Sequence, residues 1–188
     1  MTETPERYGT VVIVLHWVIA LLVLFLIALG LYMDHASIDD PTALHTLHKS
    51  VGITTMVLII VRIVWRLTRN LKAPAFPPSV PKVQRVAAGS VEGILYLFQI
   101  LLPATGWLAM SSMAMPIVLF GWVSWPLIPL PESVMDDGDL PMFLLQLHQW
   151  FSWAFAGFIA LHILAALYHA VVKRDGVVAR MMVRRPSK

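Results

Sequence analysis

The sequence predicts an all-α membrane protein, a bundle of four transmembrane helices. Three observations predict it. The 188 residues are 58% hydrophobic and only 13% charged. The apolar residues fall in charge-poor blocks long enough to cross a bilayer, and the mean hydropathy is +0.74. The apolar share exceeds the roughly 45–50% of an ordinary soluble domain. This argues against a soluble enzyme, and equally against a disordered chain of low hydrophobicity. The whole chain, residues 1–188, reads as one membrane domain.

The first block, Val11 to Met33, carries no charge over a length that covers roughly 30 Å of hydrocarbon. It is read as a span retained in the mature protein. The leader holds Glu3, Glu6 and Arg7, unlike the basic leader and shorter apolar centre of a signal peptide. The second block, about 43–67, includes Lys49, Arg62 and Arg66 yet is fully apolar from Val51 to Val61, so it reads as a span with functional charges. The charge-free stretch between Glu92 and Glu132 is broken by several prolines. It divides into a span over about 91–113 and an interfacial segment, Pro116–Pro131, whose Trp122 and Trp125 suit the headgroup layer. The last block, about 141–172, exceeds a bilayer thickness and is expected to tilt or protrude. Residues 72–81, with Pro74, Pro77, Pro78 and Pro81, read as an extended connection.

Short basic loops stay in the cytoplasm. The second loop carries Arg69, Lys72, Lys82 and Arg85, and the tail carries Lys173, Arg174, Arg180, Arg184, Arg185 and Lys188. Both termini are therefore expected to be cytoplasmic. The other connections hold Asp34, Asp39, Asp40, Glu132, Asp136, Asp137 and Asp139, with Lys49 as the one cation on their side. The pI near 9.5 thus reflects topology, and no nucleic-acid partner is expected.

The chain has no cysteine and seven histidines. Disulfides, thiolate metal sites, iron–sulfur ligation and c-type haem attachment are excluded. Ionisable residues within a bilayer are costly and usually functional, so depth becomes informative. His16 lies at the inner level of the first helix and His48 at the outer level of the second. On the fourth helix His148 and His162 are 14 residues apart, roughly 21 Å of rise and back to nearly the same face. Two cross-helix pairs emerge, outer His48 with His148 and inner His16 with His162. Such pairs suit two bis-imidazole b-type haems, each held between facing helices. Zinc would want three or four converging ligands, often carboxylates, and the span interiors offer none. Gly30 and Gly52 are placed to admit a ring or to allow close helix packing. His35 lies by the outer loop. His45 is the alternative to His48, which is preferred because it is deeper. Met110, Met113 and Met115 read as packing.

Arg62 and Arg66 fall near the face of His48 at the inner level. They either clamp haem propionates or a quinone carbonyl, or snorkel to headgroups. His169, two turns beyond His162, is placed to exchange a proton with a lipid-soluble quinone, with Trp65 or Tyr168 as ring neighbours, or is solvated by headgroups. Lys49 either meets an outer propionate, draws in a small anion, or snorkels.

These residues resemble the bacterial cytochrome b561 family of small di-haem membrane proteins. The likeness rests on His16-Trp17, on Leu47-His48-Lys49-Ser50-Val51-Gly52, on Val61-Arg62, on His148 and His162 followed by His169, and on Arg180-Met181-Met182. It implies that His16 and His162 ligate a cytoplasmic-side haem b, and His48 and His148 a periplasmic-side one. It also implies a superoxide oxidase that passes electrons to ubiquinone, with His169 at the quinone. Lys49 would then serve as the catalytic cation for superoxide. The alternative is an electron-transfer subunit docked to a dehydrogenase or hydrogenase through the outer Trp-rich segment. A third class is a metal permease or a structural bundle without redox activity.

Overall fold

The computed structural model describes residues 8–36, 40–69, 80–135 and 138–182. The residues Glu3, Glu6, Arg7, Asp39, Asp136, Asp137, Arg184, Arg185 and Lys188, and segment 72–79, lie outside the described residues. Among the described residues, four helices are long and apolar enough to cross a membrane. In hydrocarbon a backbone must satisfy its own hydrogen bonds, which leaves the helix as the natural state of each apolar block.

Helix α1 spans Thr10–His35 and ends where Ala36 turns extended. Helix α2 spans Thr42–Thr68. The Asp40 carboxylate accepts the Thr42 N–H at 3.0 Å, satisfying one of the free donors of the first turn. Helix α3 spans Lys82–Ser112, nine residues earlier than the apolar pattern suggests. Lys82 and Arg85 thus belong to a helix and not to the loop. Pro81 presets the backbone ahead of the first turn, and residues 83–88 contain good helix formers and no proline. A helix leaving hydrocarbon needs no apolar side chains to continue. Helix α5, Leu140–Tyr168, passes directly into a π-helical turn, His169–Lys173, and the chain closes with a 3₁₀ turn, Val178–Met181.

Helix α1 packs along α2, and α3 along α5; α2 and α3 touch less extensively, while α5 makes little close backbone contact with α1 or α2. The bundle is thus two helix pairs facing each other across a slot. Ile19 and Val23 of α1, Ile59 of α2 and Phe155 of α5 form a buried layer, joined by Leu95, Phe98 and Leu102 of α3.

The segment after α3 differs from a simple interfacial stretch. Strands β1 (Ile117–Leu119) and β2 (Val123–Trp125) pair antiparallel, with Ile117 opposite Trp125. Phe120 and Gly121 turn the chain with φ of 53° and 87°, a conformation glycine adopts freely. Because opposed residues share a face, Trp125 joins the inner side with Ile117 and packs on Trp107 of α3 at 5.8 Å between ring centroids. Trp122, in the turn, is 81% exposed. A short helix, α4 (Glu132–Met135), leads on to α5.

Two buried serines fasten this hairpin. The Ser50 hydroxyl donates to Thr46 O at 2.6 Å and accepts the Phe120 N–H at 2.8 Å. Ser111 accepts the Ile128 N–H at 2.9 Å, and Trp107 Nε1–H donates to Pro126 O at 2.9 Å. Losing a buried acceptor costs about 1–3 kcal/mol. Ser50→Val is therefore expected to cut the amide-exchange protection of Phe120 on the order of tenfold, at unchanged protection of α1, a difference that hydrogen exchange in nanodiscs reads directly.

Candidate functional site

The slot between the helix pairs is where the histidines meet. At one level His48 of α2 faces His148 of α5, with ring centroids 6.2 Å apart and planes at 76°. At the other, His16 of α1 faces His162 of α5 at 6.4 Å and 67°. Two imidazoles bound through about 2 Å bonds to one iron, each nitrogen about 1.1 Å from its ring centre, would have centroids about 6.2 Å apart. Both pairs fit that requirement. His45, by contrast, is exposed, and its Nδ1–H donates to Pro41 O at 2.8 Å. His35 similarly bonds Leu31 O at 3.0 Å. Neither makes a ring contact with His148.

The outer pair has a supporting shell. His148 Nδ1–H is shared between Leu102 O at 3.0 Å and the Thr105 hydroxyl at 3.1 Å, which leaves Nε2 as the nitrogen available to a metal. Pro103 belongs to the same turn of α3, and its missing N–H deprives the Gln99 carbonyl of its helical donor. His48 Nδ1 is buried without a partner among the described residues. Space is kept by glycine. A Cβ on Gly106 would meet His148 Cε1 at 3.3 Å, and one on Gly30 would meet His48 Cε1 at 3.8 Å. Gly30 thus stands at the level expected for it, whereas a Cβ on Gly52 would meet nothing within 4 Å. Gly106 escaped the sequence reading because its partner lies on another helix. Lys49 is half-buried and forms no ion pair among the described residues.

Around the inner pair, Trp17 lies edge-on to His16 at 5.5 Å, and its Nε1–H donates to Met181 O at 2.8 Å. The C-terminal Arg180-Met181-Met182 motif is therefore folded back against the residue next to His16. Arg62 is buried, its guanidinium 5.4 Å from the centre of the Tyr96 ring, and its Nε has no hydrogen-bond partner among the described residues. A buried guanidinium close to two imidazoles is a strong claim on an anion.

Arg66 is placed differently. It neither snorkels freely nor points an open fork into the slot. Its Nη1–H donates to Glu92 Oε1 at 2.6 Å and to the Tyr96 hydroxyl at 3.1 Å. The early start of α3 puts Glu92 well within a helix, which the reading of charge-free spans missed. Burial and the Glu92 carboxylate push the Tyr8 phenol above its usual range. A shallow, mainly apolar cavity of about 240 Å³ lies beside Arg66 and Tyr96, walled by Ile63 and Leu67.

His169 lies at the end of α5 with Tyr168 edge-on at 5.9 Å, while Trp65 instead stacks under the Arg69 guanidinium at 4.8 Å. Its Nδ1 meets Asp175 Oδ2 at 2.6 Å. Asp175 also was not singled out by spacing, since its approach depends on a chain reversal. No group of three or more His, Cys, Asp or Glu able to hold a metal ion occurs among the described residues.

Four membrane-crossing helices with opposed histidines at two heights define a class, the helical membrane cytochromes. The sequence profile of the prokaryotic cytochrome b561 family matches residues 7–183, and the chain belongs to that family. It is 32% identical over 188 residues to "Cytochrome b561 homolog 2" of Escherichia coli (strain K12), covering 99% of this chain and 96% of that protein. Identity is 30% to "Cytochrome b562" of Cereibacter sphaeroides, over 97% of this chain and 98% of the relative. It is 28% to "Probable superoxide oxidase CybB" of Yersinia pestis, over 96% and 98% respectively. The protein is thus a haem-binding membrane electron-transfer protein of the prokaryotic cytochrome b561 family, in contact with lipid along its four helices.

The close approach at Gly106 generates a test. Gly106→Leu is expected to displace the His148 ring and lower haem content, and Thr105→Val to weaken haem retention by about 10–100-fold, both read by haem absorbance after dilution. Unchanged retention in both variants would detach this shell from haem binding.

Proposed function

We propose that the chain is a single membrane domain holding two b-type haems, and that it oxidises superoxide on the periplasmic side while reducing ubiquinone near the cytoplasmic side. The observation carrying this reading is the pair of imidazole spacings, 6.2 Å and 6.4 Å, at two heights of one bundle. His48 and His148 are the ligands of the outer haem, and His16 and His162 of the inner. Bound haem supplies reversible one-electron chemistry. Two superoxide anions each lose one electron and leave as dioxygen; one ubiquinone takes two electrons and two protons and becomes ubiquinol.

The protein's part is to hold, orient and exclude water. Arg62 holds a propionate of the inner haem. Arg66, fixed by Glu92 and Tyr96, offers its remaining guanidinium N–H groups to a propionate or the quinone carbonyl. Lys49, next to His48 and without an ion-pair partner among the described residues, is the cation that receives the superoxide anion. The buried layer of Ile19, Val23, Ile59 and Phe155 keeps water from joining the two levels. His169 binds the quinone at the inner interface. The orientation is supported by the described cations Arg69, Lys82, Arg85, Lys173, Arg174 and Arg180, which lie at or beyond the helix ends on the side of His16 and His162; by the preference of basic segments for the cytoplasm, both termini are cytoplasmic in this reading. The superoxide assignment is supported by the likeness to the Yersinia pestis relative named a probable superoxide oxidase.

A second reading, an electron-transfer subunit of a dehydrogenase or hydrogenase, draws on the exposed hairpin tip, Phe120 and Trp122, as a docking surface. Pulsed superoxide separates the two. Prompt haem reduction in the isolated protein, slowed severalfold by Lys49→Gln, is expected for the oxidase, and haem reducible by a partner alone is the subunit's outcome. The ligand sets are tested by substitution. His48→Ala and His148→Ala are each expected to remove the same haem, and His16→Ala and His162→Ala the other, as resolved by redox titration of the remaining absorbance. Retention of both haems after either change at a level refutes that pair.

A further inference from the structure

The end of α5 is built in an unusual way. The α-helix gives way after Tyr168 to a π-turn, His169–Lys173, a widened geometry concentrated at functional sites. Arg174 then takes a left-handed conformation with φ of 51°, and Gly176 follows with φ of 76°. A non-glycine side chain disfavours that region, so the reversal is held by its surroundings: Arg174 N–H donates to His169 O at 2.8 Å, and Arg174 Nε–H to Val171 O at 3.1 Å.

The product of this reversal is a contact. Asp175 is brought back beneath His169, with Oδ2 2.6 Å from Nδ1, and its Oδ1 accepts the Val177 N–H at 3.2 Å. The His169 and Asp175 side chains are only 22% and 19% exposed. Partial burial pushes the Asp175 carboxyl up, but the hydrogen bonds from His169 and Val177 outweigh it and hold the group below the usual carboxylate range. It is a carboxylate at neutral pH. A carboxylate on Nδ1–H fixes the imidazole's tautomer and ring orientation.

We propose that Asp175 is a positioning residue for proton delivery to the quinone, holding His169 with Nδ1–H bonded to the carboxylate and Nε2 turned to the quinone oxygen. The proposal rests on the reading of the inner interface as the quinone site. In each delivery the Nε2–H bond of the imidazolium breaks and an O–H bond forms on the reduced quinone, whose electrons come from superoxide. The neutral imidazole keeps its Nδ1–H on Asp175 and is recharged at Nε2 from cytoplasmic water. Asp175 itself stays ionised, as the carboxylate does in a Ser-His-Asp triad.

Two measurements on the full-length, haem-loaded protein in nanodiscs test this. First, ¹⁵N NMR of labelled histidine at neutral pH is expected to show one strongly downfield Nδ1–H proton, absent in Asp175→Asn and in His169→Ala. A wild-type spectrum without it overturns the proposal whatever the variants do. Second, turnover of a short-chain ubiquinone driven by pulsed superoxide is expected to lose about 10–100-fold in kcat in Asp175→Asn, with KM changed less than about twofold and the haem spectrum intact, and Asp175→Glu is expected to restore most of the rate. An unchanged kcat, an effect confined to KM, or loss of haem along with the rate overturns the positioning role. If wild-type protein reduces no quinone while the downfield proton is present, it is the reading of the quinone site that fails, and the delivery role with it.

Discussion

Opposed imidazoles inside a low-dielectric bundle are the constraint on which the remaining architecture depends. A polar ring at bilayer depth is costly unless something takes up its nitrogens. Here two such rings meet at each of two heights, at 6.2 Å and 6.4 Å. Helices packed to ordinary interior density would not leave room for a flat ligand between those rings. The bundle accordingly closes as two pairs, α1 with α2 and α3 with α5, with the slot left between them. An apolar layer around Ile19, Ile59 and Phe155 separates the two levels and ties the pairs together.

The polar groups around this slot are arranged by distance from it. Thr105 and the Leu102 carbonyl take Nδ1 of His148, an arrangement that leaves Nε2 free for a metal. Glycine at 106 keeps that ring's edge free. Beside the inner pair, Arg62 carries a buried charge that asks for an anion, and Arg66 is already committed to Glu92 and Tyr96. The tail then folds back so that Met181 O receives the Trp17 indole, which joins the last described turn of the chain to the helix bearing His16. The two ends thus differ in kind: the end with His16 and His162 is cationic and rich in hydrogen bonds, and the end with His48 and His148 carries a serine-pinned hairpin.

How much of this was legible in the sequence follows from the range of each signal. The 14-residue interval between His148 and His162 lies on one helix, so rise and rotation alone placed both heights, and His16 and His48 followed from topology. That His48 and not His45 meets His148 was also readable, because depth in the membrane separates residues one turn apart. What depended on contacts between distant elements was not. Gly106 looks like any glycine in an apolar helix until α5 is packed against it. Glu92 lies at the edge of the span that hydropathy marks from about residue 91, with Lys82 and Arg85 in the loop, yet the helix begins at Lys82, because polar residues continue a helix beyond the hydrocarbon just as well. Trp125 was assigned to the headgroups with Trp122, whereas strand pairing turns one inward and leaves the other in the turn. Asp175 reaches His169 through a π-turn and the left-handed Arg174, and no periodicity forecasts such a reversal.

The central claim, that histidines at two separate heights of this bundle each hold one haem b, is tested most directly by counting. Pyridine haemochrome assay of protein purified from iron-replete cells, combined with low-temperature electron paramagnetic resonance of the oxidised form, reads both stoichiometry and ligation. Two haems b per chain, each low-spin with two imidazole ligands, is the predicted result. A single haem per chain, a high-spin centre, or colourless protein would contradict it.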